Sequence, residues 1–152
     1  MHWGEYVRDA RIKAGVTEED AAQAAGLSHD NLLDVEGSED ELFENVSLGE
    51  ARRLLAIVGL DIEDVVERWA GPENYRKLAG GNERFHFRHH MLSERLRADG
   101  EIERVADAVG FETIAIHQCC RASDFFEAYT IHFVVDLAKA VGVNAADFIK
   151  GS

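Results

Sequence analysis

Two cysteines, one proline and only 16 Lys or Arg against 29 Asp or Glu are what this 152-residue chain has least of. Cys119 and Cys120 are adjacent, a spacing that fits neither a disulfide framework nor the paired ligands of a structural zinc site and suits a reducing compartment. The lone proline, Pro72, leaves no proline-rich or low-complexity segment. No apolar run approaches the ~18–20 residues needed to cross a bilayer, and Met1-His2-Trp3-Gly4-Glu5 lacks the basic and apolar regions of a signal peptide. A soluble, cytoplasmic protein with no membrane partner is therefore expected. The shortage of cations is uneven: 5 Lys or Arg face 16 Asp or Glu over residues 1–66, 7 face 4 over 67–97, and 4 face 9 over 98–152. An acidic surface repels phosphate backbones at long range, so only a local basic strip can act, within a Debye length of about 8 Å.

What is present is a repeat. The stretch from Gly4 to Val66 recurs in weakened form from Met91 to Ile149. Ala22, Gly26 and Leu27 line up with Ala106, Gly110 and Phe111, and the segment from Leu54 to Val66 lines up with that from Leu137 to Ile149. The glycines are almost equally spaced in both copies, and each ends a helix at the same point. Copies of roughly 60 residues lie near the lower limit for an independent core, so the two are expected to pack together.

Apolar positions recur at helical spacing almost throughout and no segment alternates over a strand length, which predicts an all-α fold. A first helix is predicted from Gly4 to Ala14, with Tyr6, Val7, Ala10 and Ala14 facing inward and a stop at Gly15. Thr17, with Asp20 completing a capping box, opens a second helix that ends at Gly26. Ser28 follows as the next N-cap, so the third helix crosses the second steeply, in helix-turn-helix geometry. Ser47 and Glu50 cap a fourth helix ending at Gly59, and Asp61 caps a fifth carrying Ile62, Val65 and Val66. Pro72, Tyr75, Leu78 and Gly80-Gly81 mark a boundary containing a short helical piece. Asn82 then caps a long helix through Phe85, Met91, Leu92 and Leu96 to Asp99, which opens the second unit. The predicted organisation is a unit over 1–70, a linker over 71–81 and a diverged second unit over 82–152, each of five helices.

These residues carry a resemblance. Tyr6 through Thr17, Ala21-Ala22, Gly26-Leu27-Ser28, Val35-Glu36-Gly37, Ser47-Leu48 and the end from Leu54 to Val66 resemble the lambda-repressor and Cro-like (XRE) helix-turn-helix family. The second unit keeps Ala106, Gly110 and the end from Leu137 to Ile149, with Glu112 at the serine cap position. The resemblance implies that the third helix enters the major groove while the start of the second touches phosphate. It thereby implies DNA contacts from Thr17, Ser28, His29 and Asn31 in the first unit and from Thr113, His117, Gln118 and Arg121 in the second. Asn31 and Gln118 suit adenine, and Arg121 suits guanine or phosphate. Where the family often has Gln after Thr17, this chain has Glu18, followed by Glu19 and Asp20, and the third helix also carries Asp30 and Asp34. In the second unit Ile114, Ala115 and Ile116 crowd apolar groups near the helix start and suggest a buried interface.

Arg68, Arg76, Lys77, Arg84, Arg88, Arg95 and Arg97 form a basic middle segment that can track a DNA backbone or pair with the acidic units. Glu36, Glu39, Asp40, Glu41 and Glu44, with Leu42 and Phe43 among them, form an acidic loop beside the implied DNA surface. Its apolar pair either marks a protein contact or folds back onto the core, the commoner outcome. His86, His90 and Glu94 are spaced to share a metal on one helix face, but surface histidines without metal are far commoner, so no metal is expected. Cys119 aligns with the core position Val35, and Cys120 with Glu36, so the first is expected buried and the second partly exposed. No nucleophile triad, phosphate loop or paired-carboxylate motif stands out, so neither catalysis nor a cofactor is expected. The resulting expectation is a DNA-binding transcriptional regulator with DNA as partner, and a homodimer or a basic protein as further candidates. The alternative is a degenerate acidic helix-turn-helix protein acting as an antitoxin-like, immunity-like or DNA-mimicking protein-binding module.

Overall fold

The computed structural model describes residues 1–75 and 88–150. Every regular element among them is a helix: α1 (Trp3–Lys13), α2 (Glu18–Ala25), α3 (His29–Gly37), α4 (Glu41–Glu44), α5 (Leu48–Ile57), α6 (Ile62–Ala70), α7 (Arg88–Arg95), α8 (Glu101–Val109), α9 (Thr113–Arg121), α10 (Asp124–Ala128), α11 (Ile131–Val141) and α12 (Ala145–Lys150). None is long and apolar enough to cross a membrane.

Side-chain caps set six of the twelve described helix starts. Thr17 and Ser28 accept hydrogen bonds from the amides of Asp20 and Asn31, each at 3.1 Å. Ser47 and Glu50 form a complete capping box, and Asp61 accepts from the Glu63 amide at 2.8 Å. Thr130 accepts from the Phe133 amide at 3.1 Å. At α1 the cap is the His2 ring, whose Nδ1 accepts from the Glu5 amide, and the helix begins at Trp3 rather than Gly4.

Three expectations are corrected. Ala14 is exposed, and the inward place on α1 is taken by Arg11, four residues after buried Val7. The acidic loop after α3 contains its own helical turn, α4, because Leu42 and Phe43 bury completely against the core; residues 1–75 thus hold six helical segments, not five. The helix leading into the second half stops at Arg95 rather than Asp99, where the Glu101 amide closes a turn on the Ala98 carbonyl at 3.2 Å. Of the predicted linker the described part ends at Tyr75, which is buried. Leu78, Gly80-Gly81, Asn82 and Phe85 lie outside the described residues, as do the basic residues Arg76, Lys77 and Arg84.

Packing within 1–75 follows one order: α2 lies against α3 and α5, and α1 against α3. Within 88–150, α8 lies against α9 and α11, and α7 against α9. Across the two halves α4 packs on α11, α5 on α10 and α6 on α12. An isolated antiparallel bridge joins Ser47 to Thr130, with the Leu48 amide donating to the Tyr129 carbonyl at 2.7 Å. One apolar core runs through both halves. Phe43 stacks on Trp69 with centroids 4.4 Å apart, Trp69 meets His132 edge-on at 5.6 Å, and Phe126 packs on Phe148. Each fully buried Leu or Phe of this core contributes about 1.5–3 kcal/mol of transfer free energy.

Candidate functional site

The α2–α3 corner is built by a left-handed glycine. Gly26 (φ 78°) ends α2, the Leu27 amide returns to the Ala22 carbonyl at 2.9 Å, and Arg53 donates to the Ala25 carbonyl from Nε and Nη2. Beneath the corner, Arg11 forks onto Glu36: Nη2 to Oε1 is 2.9 Å and Nε to Oε2 is 3.1 Å, both side chains buried, while Nη1 donates to the Val16 carbonyl. Donating to the Glu36 carboxylate raises the Arg11 guanidinium above its ordinary value despite burial. Glu36 was expected in the acidic loop after the third helix, and it lies within α3 instead. It is a buried strut, because a charged pair 25 residues apart in sequence meets between α1 and α3.

On the outer surface of this corner Thr17, Ser28, His29 and Asn31 are all exposed, together with Glu19, Asp20, Asp30 and Asp34. The hydroxyls of Thr17 and Ser28 are occupied as acceptors by their own helices. His29 Nε2 lies 2.8 Å from Glu18 Oε2, and this hydrogen bond raises the imidazole above its ordinary value. The histidine is thereby drawn into the acidic surface, and Glu19, Asp20, Asp30 and Asp34 outnumber it there.

The α8–α9 corner is turned the same way at Gly110 (φ 74°), with the Phe111 amide returning to the Ala106 carbonyl. Glu112 stands at the cap of α9 without a side-chain capping bond. Thr113, His117 and Arg121 are exposed, whereas Gln118 is half-buried and its Oε1 accepts from the Tyr129 hydroxyl at 2.8 Å. Of the three apolar residues expected at a buried interface, Ala115 and Ile116 are buried but Ile114 is 61% exposed, and Phe111 is 45% exposed.

Of the described cations of the basic middle segment, Arg68, Arg95 and Arg97 are exposed and Arg88 is not. Arg88 is buried and donates to the Phe148 carbonyl, to the Ser123 carbonyl at 3.0 Å and to Glu127 at 2.6 Å. Glu127 also accepts from Arg52 of α5 at 2.9 Å. Arg68 donates to the Tyr6 hydroxyl and lies over the Trp3 and Tyr6 rings. Arg95 and Arg97 are exposed.

Cys119 is buried and Cys120 half-buried, as expected; burial pushes their thiols up to about 12 and about 11. Both are held as neutral thiols, so neither has the thiolate character of a redox sensor. His86 lies outside the described residues, and among those described no three His, Cys, Asp or Glu side chains converge to hold a metal. Sequence reasoning missed the Arg11–Glu36 strut and the Arg52–Glu127–Arg88 cluster. The one available signal was an arginine on the apolar stripe of α1.

No protein-family model, curated protein or solved structure matches this chain.

Proposed function

We propose that this chain is a duplicated helix-turn-helix protein whose two units pack about a pseudo-two-fold axis, and that it acts as a protein-binding regulatory module toward a basic partner. The duplication reading is supported by reciprocity: α4 packs on α11 as α10 packs on α5, and the bridge joins Ser47 to Thr130, the N-caps of corresponding helices. The partner reading is carried by one observation, the carboxylates Glu19, Asp20, Asp30 and Asp34 exposed where the resemblance would put DNA. A phosphate backbone there would meet like charge, while a cationic protein surface would be steered in and held. The buried Arg88 withdraws a cation from the segment that favoured DNA.

A second reading, DNA binding through the second unit, is favoured by α9, which displays Thr113, His117 and Arg121 and carries no carboxylate. The two separate by anisotropy titration of the protein against labelled, fragmented host DNA at low and moderate salt, beside affinity capture from host lysate with wild type and a Glu19→Gln, Asp20→Asn, Asp30→Asn, Asp34→Asn variant. The protein-binding reading expects no saturable DNA binding and a basic protein retained by wild type but lost by the variant. Saturable DNA binding that survives moderate salt overturns it. In that case Arg121→Ala is expected to weaken binding and, if Arg121 contacts phosphate, to reduce the salt slope by about 1.

A further inference from the structure

The two halves meet through a reciprocal pair of contacts, α10 against α5 and α4 against α11. In the sequence register that sets Ser47 beside Thr130 and Leu54 beside Leu137, Glu127 of α10 aligns with Glu44 of α4, and Gly49 of α5 aligns with His132 of α11. Each contact therefore brings a glutamate from a short helix against the first turn of a longer one.

The counter-charges differ. Glu127 is held by Arg52 at 2.9 Å and Arg88 at 2.6 Å, and guanidinium groups stay charged at every physiological pH. At that contact the α5 backbone comes so close that a Cβ on Gly49 would stand 3.3 Å from the Glu127 carbonyl oxygen. Glu44 faces instead the imidazole of His132, with Oε1 3.7 Å from Nδ1, and Nε2 of the same ring lies 3.2 Å from Asp136 Oδ2. An imidazole is charged only on the acid side of neutrality. Protonated, His132 offers an N–H to each carboxylate, one from either half; neutral, it has a single N–H and can serve only one of them.

Among the described residues, Glu44 and Asp136 are the charged groups within ion-pair distance of the ring. Helix α6 presents the Trp69 ring edge-on at 5.6 Å, while its Arg68 donates to Tyr6. Glu41, the other carboxylate of α4 with Glu44, accepts from Asn45. On α8 and α12, which also pack on α11, Arg104 is taken by Glu101 and the Ala140 carbonyl, and Asp147 acts with Lys150. The element that His132 holds is marginal: α4 has four residues and no side-chain capping bond. Such an element opens at low local cost, so one ion pair changes how often it does so.

We infer that His132 is a pH-operated latch between the halves: mild acid fastens α4 to α11 and higher pH releases it, while the contact of Glu127 with Arg52 and Arg88 stays shut. The latch goes beyond the protein-binding reading and stands whether or not that reading does. The test is hydrogen exchange of the full chain, read as amide protection factors at about pH 5.5 and about pH 7.5, on either side of the histidine range. The Glu44 and Asn45 amides, which donate to the Asp40 and Glu41 carbonyls, report the latch, and the Phe126 and Tyr129 amides at the other contact are the control. The variants are His132→Gln, Glu44→Gln and Asp136→Asn, all at partly exposed side chains, with thermal unfolding to check that each is folded.

In wild type the α4 amides are expected to be about 2- to 5-fold better protected at the lower pH, the size of effect a partly exposed ion pair supports, with the control amides unchanged. His132→Gln and Glu44→Gln are expected to abolish that pH dependence, and Asp136→Asn to keep it, because Asp136 pairs within α11 alone. Wild-type protection that does not change with pH would overturn the inference, as would a pH dependence that survives in His132→Gln. Protection lost equally at both pH values in His132→Gln would give the histidine a packing role only and overturn it as well.

Discussion

At the scale of single residues, the helices over 1–75 rest on the buried charge pair of Arg11 and Glu36. In the sequence repeat Glu36 aligns with Cys120 and Arg11 with Arg95, which is exposed. Glu36→Ala leaves a buried guanidinium unpaired and is expected to cost about 3–5 kcal/mol in urea unfolding, whereas replacing both partners with apolar residues of similar volume costs far less. The thiols give a second test. With values pushed up by burial, Cys119 and Cys120 are expected to react slowly with a thiol reagent at neutral pH and both to react rapidly in denaturant, a contrast read as absorbance per chain. A third concerns His29. Its folded value is raised by Glu18, so its contribution is present just below the ordinary histidine value and fades as pH rises through the raised one. NMR titration is expected to place His29 above an ordinary histidine, and Glu18→Gln to bring it down.

At the scale of elements, caps and corners were legible because each is decided within a few residues: Thr17, Ser28, Ser47 and Asp61 all cap as the sequence predicts, and Gly26 and Gly110 turn both corners. Helix α4 was not legible, because a four-residue helix flanked by acids has no periodicity and forms only when Leu42 and Phe43 find the core. The same limit hid the strut and the cluster around Glu127, whose partners are brought together only by the packed helices. The candidate site was legible in position and misread in one particular: exposed Ile114 resembles a core residue when seen only beside Ala115 and Ile116. A sharp element-scale test lies at Gly4, whose amide donates to the Ser38 carbonyl at 3.1 Å. An added Cβ would stand 2.4 Å from the Val35 carbonyl oxygen and 2.5 Å from that of Ser38. Gly4→Ala must push α1 off the end of α3, and is expected to cost about 1–3 kcal/mol or more by thermal unfolding.

At the scale of the molecule, Glu127 ties the halves together by accepting from Arg52 of one and Arg88 of the other. Burial alone would raise its carboxyl, but the two guanidinium groups outweigh that and hold it below the ordinary carboxylate range. A depressed carboxylate contributes stability that is present above its unfolded value and lost as pH falls through the folded one. Melting temperature is therefore expected to drop on the acid side, below the ordinary carboxylate range, and Glu127→Gln to be less stable at neutral pH with a shallower acid limb. The backbone bridge between Ser47 and Thr130 has an inheritance consequence as well. Were its two sides supplied by identical chains, every codon change would strike both at once. Here each side has its own codons, so one can drift while the other holds the pairing, and a lineage can lose an acidic surface on one flank without surrendering it on the other.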